Sequence, residues 1–533
     1  MSDDKEVDSK KGITRRDFLY GAASVAGASI PVLESNIRAQ QQQADERGEV
    51  RPPAEFKAVR DFIEEKIRTG IVPSLVIMVV RDNQTIWAEA FGYADLEKKR
   101  EATLNSIYKI ASVSKPITVT GLMTLVDRGL VNLDRPANDY LPDAGLRSYV
   151  GPASGMTLRR LANHTSGLPI HENLFYDGAQ PLSPGETIRR YGFAAWEPGT
   201  HFQYSNLGTA ILGFITESVS KTPWARYLKR TLFDPLGMRR TFAELPPGHE
   251  KEAAGRYGPE LTIQYDYDLA GRFVRTGPHA TDHPGGSSMW SSARDLVRFA
   301  QMHINGGVLD GVRILNAESV RAMQDFTVDD DNEPGRKYGV GWWSDFSLGQ
   351  RNFGHSGGGP GMGVMLSAYP DDKVVTVVLT NYFGAMAPEV AKRLARVLLP
   401  NPQGTVSMSE QQTKQQPNAP APPATPMTPT GTWRGKLLYP EGDIPLRLVI
   451  GENGTAEVGF GRSPLVKMNE VTLGKNSFNG STEGVLIRRP GFHGVSVLEF
   501  QLRREGNRLV GVCDTYAKGY FELAHWVELD KQS

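Results

Sequence analysis

Ile110-Ala111-Ser112-Val113-Ser114-Lys115-Pro116-Ile117-Thr118 is the stretch around which the rest of the chain can be ordered. A serine is followed three residues later by a lysine, just as an apolar, helix-like pattern begins. Positions i and i+3 of a helix share a face about a turn apart, so Lys115 can stand beside the Ser112 hydroxyl. Pro116 helps to place the helix start. Proline is tolerated in the first turn, whose N–H groups lack intrahelical acceptors, and is costly further in. Ser112 therefore falls at or near a helix N-terminus, where the macrodipole favours developing negative charge. Leu122, Leu125 and Val126 predict a buried stripe, and Gly129 an end to the helix. The pattern is a candidate nucleophile with a lysine partner. Alone it equally describes a helix cap with an exposed lysine, because a motif this short needs structural context.

At 533 residues the chain exceeds what one core usually organises, so two domains are expected. Lysine plus arginine and aspartate plus glutamate both total 60, which leaves no net charge and no general attraction to nucleic acid or anionic membranes. Near the N-terminus, Lys10, Lys11, Arg15 and Arg16 precede a modestly apolar run from Phe18 to Leu33. Thr14-Arg15-Arg16-Asp17-Phe18-Leu19 resembles the twin-arginine export signature. The run is short and weakly hydrophobic for a membrane span. A signal peptide over 1–39 is expected, with cleavage at the small residue Ala39 or at Ala28. That implies a periplasmic or secreted protein without a stable membrane anchor after cleavage. A single cysteine, Cys513, excludes an internal disulfide, and its strand-like surroundings place it in a core.

Outward from Ser112, the polar segment 40–53 reads as a linker and 54–68 as a helix with Phe56, Val59, Phe62, Ile63 and Ile67 on one face. Ser74–Arg81 and Thr85–Gly92, joined at Asp82-Asn83, read as a hairpin. Helices are expected from about Leu207 to Val219, Trp224 to Leu232, Ser292 to Ile304 and Pro388 to Leu399, and strands at Gly363–Tyr369 and Lys373–Thr380. Strands at both ends of a helical middle predict an α/β sandwich with a helical insertion, spanning 54–400. Residues 401–429, dense in Pro and Gln, predict a linker. Beyond it, short strands separated by turns over 430–533 predict a closed β-barrel.

Four landmarks follow the Ser112–Lys115 pair: His164-Thr165-Ser166-Gly167-Leu168-Pro169, Tyr204-Ser205-Asn206, Gly285-Gly286 before Ser292-Ala293-Arg294-Asp295, and Gly354-His355-Ser356-Gly357-Gly358. In this order and spacing, from about Phe56 to Leu399, the chain resembles serine hydrolases of the class C β-lactamase, DD-peptidase and D-aminopeptidase family. The resemblance implies an α+β fold, an antiparallel sheet flanked by helices with a helical lobe. It implies Ser112 as nucleophile, Lys115 and Tyr204 sharing the base and acid roles, and His355 as a catalytic group on an edge strand. It further implies that Asn206 fixes Lys115 and a substrate amide, and that the N–H groups of Ser112 and Gly358 form the oxyanion hole. Gly357 to Gly359 would let substrate approach the strand closely. Unperturbed lysine and tyrosine titrate near ~10, so either base needs its environment's help.

The third motif departs from the penicillin-recognising pattern, in which a lysine stands where His355 does. A neutral imidazole attracts a carboxylate less than an ammonium does. Relatives with His-x-Gly include D-aminopeptidases, other peptidases and carboxylesterases, some with a lipocalin-like barrel. Gly431-Thr432-Trp433-Arg434-Gly435 resembles the opening of such a barrel, where the tryptophan plugs the base. The expected function is an exported serine hydrolase that acts on small esters or short, D-amino-acid-containing or other, peptides. The alternative is a DD-carboxypeptidase or β-lactamase, or a penicillin-binding protein with little turnover. No cofactor and no nucleic-acid partner are expected, and a homo-oligomer is left open. His164 is expected to bond its own turn. His279 and His283 flank Asp282, but Pro278 and Pro284 disfavour a helix there, so they read as a loop pair without metal.

Overall fold

Ser74–Arg81 (β1) is an apolar run buried on both faces, as expected for a central strand. Asp82 and Asn83 both take positive φ, 49° and 62°, the geometry of a two-residue hairpin turn, and return the chain into Gln84–Asp95 (β2). The computed structural model describes residues 48–532, except 143, 177, 244–256, 269, 278, 331–332, 347–348, 400–428 and 487–493. The expected signal over 1–39, most of the 40–53 linker and nearly all of the 401–429 linker lie outside the described residues.

The first and last strands of the hydrolase region share one antiparallel sheet. β1 lies between β2 and Val374–Thr380 (β7), which pairs with Met362–Tyr369 (β6), and that in turn with Phe353–Gly359 (β5). Successive side chains of a strand point to opposite faces, and β1 sorts its residues accordingly. Leu75, Ile77 and Val79 pack under Lys57–Arg68 (α1) and Met386–Leu398 (α5), while Val76, Met78 and Val80 face the core of the helical lobe. Helices on both faces of the sheet match the expected architecture.

Ser114–Val126 (α2) differs from the amphipathic helix expected. Twelve of its thirteen residues are buried, because the helix runs between the sheet and the helical lobe and has no solvent face. Its threonines are satisfied from within the core: Thr118 Oγ1 donates to the Gly285 carbonyl and Thr120 Oγ1 to that of Pro116, each at 2.7 Å. Pro116 sits in the first turn as expected. Asn206–Ser220 (α3) and Ala293–Ile304 (α4) begin at N-caps Ser205 and Ser292, whose hydroxyls accept from Gly208 and Asp295 N–H.

The C-terminal region is a curled antiparallel sheet, with Trp433, Leu446, Val458, Phe478, Phe500 and Cys513 among its core residues. It is nearly closed rather than closed. Its end strands, Val466–Lys467 and Asn469–Leu473, are consecutive in the chain with only Met468 between them. One residue is too short a turn for a hairpin, so these strands do not pair with each other; Met468 is buried beside them. Trp433 is fully buried and donates from Nε1 to the Pro429 carbonyl at 2.9 Å.

Phe521–Lys531 (β16, counting nine barrel strands β8 to β16 among the described residues) does more than complete the barrel. Its first residues pair with His171–Tyr176 (β3) of the hydrolase region, in the register Phe521↔Asn173, Glu522↔Glu172 and Leu523↔His171. β3 pairs on its other side with His279–Thr281 (β4). Phe521 and Leu523 enter the hydrolase core, and Tyr149 stacks on Trp526 with centroids 4.7 Å apart. The barrel is thus joined to the hydrolase by backbone pairing and by shared apolar burial.

Candidate active site

One turn of 3-10 helix, Ala111–Val113, precedes α2 and carries Ser112. Ala111 has φ 45°, in the left-handed region, which costs a non-glycine residue about 1–2 kcal/mol. The strain sits immediately before the candidate nucleophile, at a sharp entry into the helix. Across from it, β5 runs hard against the backbone. A Cβ on Gly357 would lie 2.3 Å from the Ile110 carbonyl oxygen, so only glycine allows this approach.

The helical spacing brings the pair together: Lys115 Nζ lies 3.0 Å from Ser112 Oγ. Nζ also donates to Asn206 Oδ1 at 2.6 Å and to the Gly286 carbonyl at 2.9 Å. Lys115 is fully buried, and that desolvation brings its ammonium down to about 7. A neutral amine has two N–H groups and one lone pair. With Asn206 and Gly286 accepting the two N–H groups, the lone pair is directed at the Ser112 hydroxyl. The Gly285-Gly286 landmark now has a physical reason. A Cβ on Gly286 would stand 2.9 Å from the Asn206 carbonyl oxygen, so glycine lets the Gly286 carbonyl come within reach of Lys115.

Tyr204 OH donates to Ser112 Oγ at 2.9 Å from the other side. Burial raises its phenol well above the ordinary value, which keeps the proton on the oxygen. Asn206, the first residue of α3, also donates from Nδ2 to the His171 carbonyl at 2.8 Å. Its amide thus links Lys115 to β3. His164 does not bond its own turn as expected. Its Nδ1 accepts the Ser205 N–H at 3.2 Å, and its ring packs 4.3 Å from that of Tyr204.

Ser112, Lys115, Tyr204 and Asn206 therefore meet as the sequence implied, whereas His355 stands behind them. Its Nε2 is 2.5 Å from Tyr338 OH, and its Nδ1 2.6 Å from the Ser356 carbonyl. Burial, with Lys115 nearby, lowers it to about 3, so it is a neutral imidazole. Among the described contacts it makes no hydrogen bond to Ser112, Lys115 or Tyr204. Gly358, on the same strand, faces a cavity of about 170 Å³ together with Ser112, Tyr204 and Asn206.

Two charged residues that the sequence reading missed also line this cavity, Lys109 and Glu172. Lys109 Nζ lies 3.1 Å from His279 Nε2. Glu172 is half-buried, and desolvation, reinforced by Glu522 opposite it on β16, pushes its carboxyl up to about 6. No local signal marks either residue, since their place depends on strand pairings between distant segments.

A model of the Beta-lactamase family matches residues 59–399. Among curated relatives, Penicillin-binding protein 4* of Bacillus subtilis is 28% identical over 320 residues, 57% of this chain and 67% of its own length. Esterase EstB of Burkholderia gladioli is 28% identical over 261 residues, 44% of this chain and 66% of its own. The fold is also that of an octameric penicillin-binding protein homologue from Pyrococcus abyssi, with TM-score 0.56 and 24% identity, covering 87% of this chain and 99% of that one. The chain belongs to the Beta-lactamase family and is a serine hydrolase, with a nearly closed barrel-shaped sheet joined to its C-terminal side.

Proposed function

We propose that Ser112 is the nucleophile of an acyl-enzyme mechanism on small esters or short peptides, with Lys115 as its base. The observation that carries this reading is the fully buried Lys115 Nζ, 3.0 Å from Ser112 Oγ and held by Asn206 and Gly286, in a setting whose desolvation lowers its titration to about 7. Attack of Ser112 Oγ on the substrate carbonyl carbon passes the serine proton to Lys115 Nζ. The carbonyl oxygen becomes an oxyanion between the N–H groups of Ser112 and Gly358, each such donor being worth a factor of ~10²–10³ in rate. Collapse breaks the bond to the alcohol or amine, which leaves with the proton from Lys115, directly or through the Tyr204 hydroxyl. Water then repeats the sequence on the acyl-enzyme and regenerates Ser112. Tyr204 acts as donor to Ser112 Oγ and the leaving group, consistent with its high affinity for its proton. His355 acts through Tyr338 and the strand that bears Gly358.

The Glu172 carboxylate in the cavity supports substrates with a free amino group near the scissile carbonyl, and hence the short-peptide reading. A related D-amino acid amidase from Ochrobactrum anthropi shares the fold at TM-score 0.52 and 23% identity. The second reading, a DD-carboxypeptidase, β-lactamase or slowly turning penicillin-binding protein, has one observation in its favour. Lys109 places a cation in the same cavity, where a substrate carboxylate could meet it. The barrel strand β16, paired to the cavity wall β3, supports a role for the barrel in limiting substrate size. Export by the twin-arginine route is proposed from Arg15-Arg16 and the run after them, and oligomerisation from the octameric homologue. A panel of p-nitrophenyl esters, D- and L-aminoacyl anilides and a chromogenic cephalosporin tests the reading against Ser112→Ala. Ester or anilide turnover that disappears in the variant supports it; rapid cephalosporin turnover favours the second reading.

A further inference from the structure

Three buried side chains that the acyl-transfer steps do not use meet at the edge of the same cavity. They are His171 on β3, and Asp282 and His283 between β4 and the short helix Pro284–Ser287. Their ligand atoms all lie within 4.8 Å of one another. His171 Nε2 is 2.8 Å from Asp282 Oδ1, and His283 Nδ1 is 3.2 Å from the same oxygen. The histidine pair suggested by sequence spacing does not form this cluster. His279 turns to Lys109, and its place is taken by His171, 111 residues before Asp282.

The surroundings orient these groups toward a common point. Asn173 Nδ2 donates to Asp282 Oδ2 at 2.5 Å, which holds the carboxylate with Oδ1 toward both imidazoles. The Thr281 hydroxyl oxygen lies 2.6 Å from His283 Nδ1, adding a fourth polar atom at that end. Ligating carboxylates and imidazoles are ordinarily held by such outer contacts. His283 and Thr281 also line the cavity, so a small ion and a water molecule can reach the cluster from there. Two imidazole nitrogens and a carboxylate oxygen are a donor set suited to zinc, with bonds of about 2.0–2.2 Å. A tetrahedral site of that size needs ligand atoms about 3.4 Å apart. The observed 2.8 and 3.2 Å separations would need to open by roughly half an ångström, within reach of side-chain adjustment.

We propose that His171, Asp282 and His283 bind one zinc-class divalent cation beside the acyl-transfer site. Its role is positioning. It ties β3 to the segment after β4, and the His171 carbonyl on that strand accepts the Asn206 amide that holds Lys115. The ion thereby clamps the cavity wall to which barrel strand β16 is also paired.

The test reads the metal itself. Full-length protein is stripped with a chelator, checked for folding by circular dichroism, and titrated with Co²⁺ as a visible-absorbing stand-in, then with Zn²⁺. Expected are ligand-field absorption saturating at one Co²⁺ per chain, displacement by one Zn²⁺ that survives desalting, and the same result for Ser112→Ala. Asp282→Asn and His283→Ala should each weaken Co²⁺ binding by at least tenfold. His283→Cys keeps three ligands and should add a thiolate-to-cobalt charge-transfer band, which locates the ion even if the first two variants misfold. Folded, stripped wild-type protein that takes up less than a tenth of an equivalent of either ion would overturn the proposal. So would binding that Asp282→Asn leaves unchanged, or cobalt bound to His283→Cys without the new band; the cluster would then be a hydrogen-bonded network only.

Discussion

Burying Lys115 as a free amine has a cost that can be measured apart from catalysis, through the pH dependence of stability. Its titration falls from 10.5 to about 7 in the fold, a difference worth about 5 kcal/mol between its two protonation states. The folded chain therefore releases this proton near neutrality, while the unfolded chain keeps it until the ordinary lysine range. Between those limits the unfolded chain binds one more proton, so the contribution of Lys115 to stability rises with pH. Below about 7 the cost of burying the ammonium is complete, and it is relieved by about 1.4 kcal/mol per pH unit above that until the ordinary lysine range. From pH 6 to pH 9 the gain is about 3 kcal/mol. Lys115→Met keeps an unbranched side chain of similar length and removes the titration. Urea unfolding of both proteins, followed by tryptophan fluorescence at pH 6, 7, 8 and 9, isolates the term as the wild-type-minus-variant difference. That difference should move by about 3 kcal/mol in favour of the wild type across the range. Parallel pH profiles, or a drift of opposite sign, would refute the reasoning. Lys115 would then be an ammonium in the folded protein, and the base would have to be Tyr204.

The same titration predicts that kcat/KM for a neutral ester rises about tenfold per pH unit below about 7 and levels off above it, in a stopped-flow or plate assay against pH. Gly357→Ala places a Cβ 2.3 Å from the Ile110 carbonyl and must push β5 away from Ser112, so kcat should fall by ~10²–10³ while KM changes little. Glu172→Gln should lower kcat/KM at least about tenfold for esters with a free amino group and leave their N-acetylated counterparts within about twofold, a factor of ten being 1.4 kcal/mol. Leu523→Ala removes a fully buried anchor of β16 on the hydrolase core and should destabilise the protein by about 2–5 kcal/mol, read from thermal or urea unfolding.

Much of the candidate site could be read from local pattern, because local chemistry determines it. Ser112 and Lys115 are one helical turn apart, so their contact follows from secondary structure alone. Tyr204 and Asn206 flank Ser205, the cap of a helix, and a family resemblance across several motifs placed that helix against α2. The β1–β2 hairpin was likewise declared by its own turn residues and β-branched runs. What escaped the sequence depends on which distant strands pair. Glu172 is an ordinary glutamate until β16 of the barrel lies beside β3, about 350 residues later in the chain. His171 gains Asp282 and His283 by the same kind of long-range pairing. His355 is a different case. Its motif position implied a place among the reacting groups, but its ring is turned toward Tyr338, where both nitrogens find partners. The amphipathic stripe expected on α2 failed because a helix enclosed on all sides has no polar face to betray its orientation.

The acyl-enzyme at Ser112 is most directly tested by intact-mass and peptide mass spectrometry after incubation with a fluorophosphonate and, separately, with a rapidly quenched p-nitrophenyl ester. One adduct per chain is predicted, on the peptide that contains Ser112, with none on Ser112→Ala and no ester turnover by that variant. An adduct on another residue, or turnover that persists without Ser112, would contradict the mechanism.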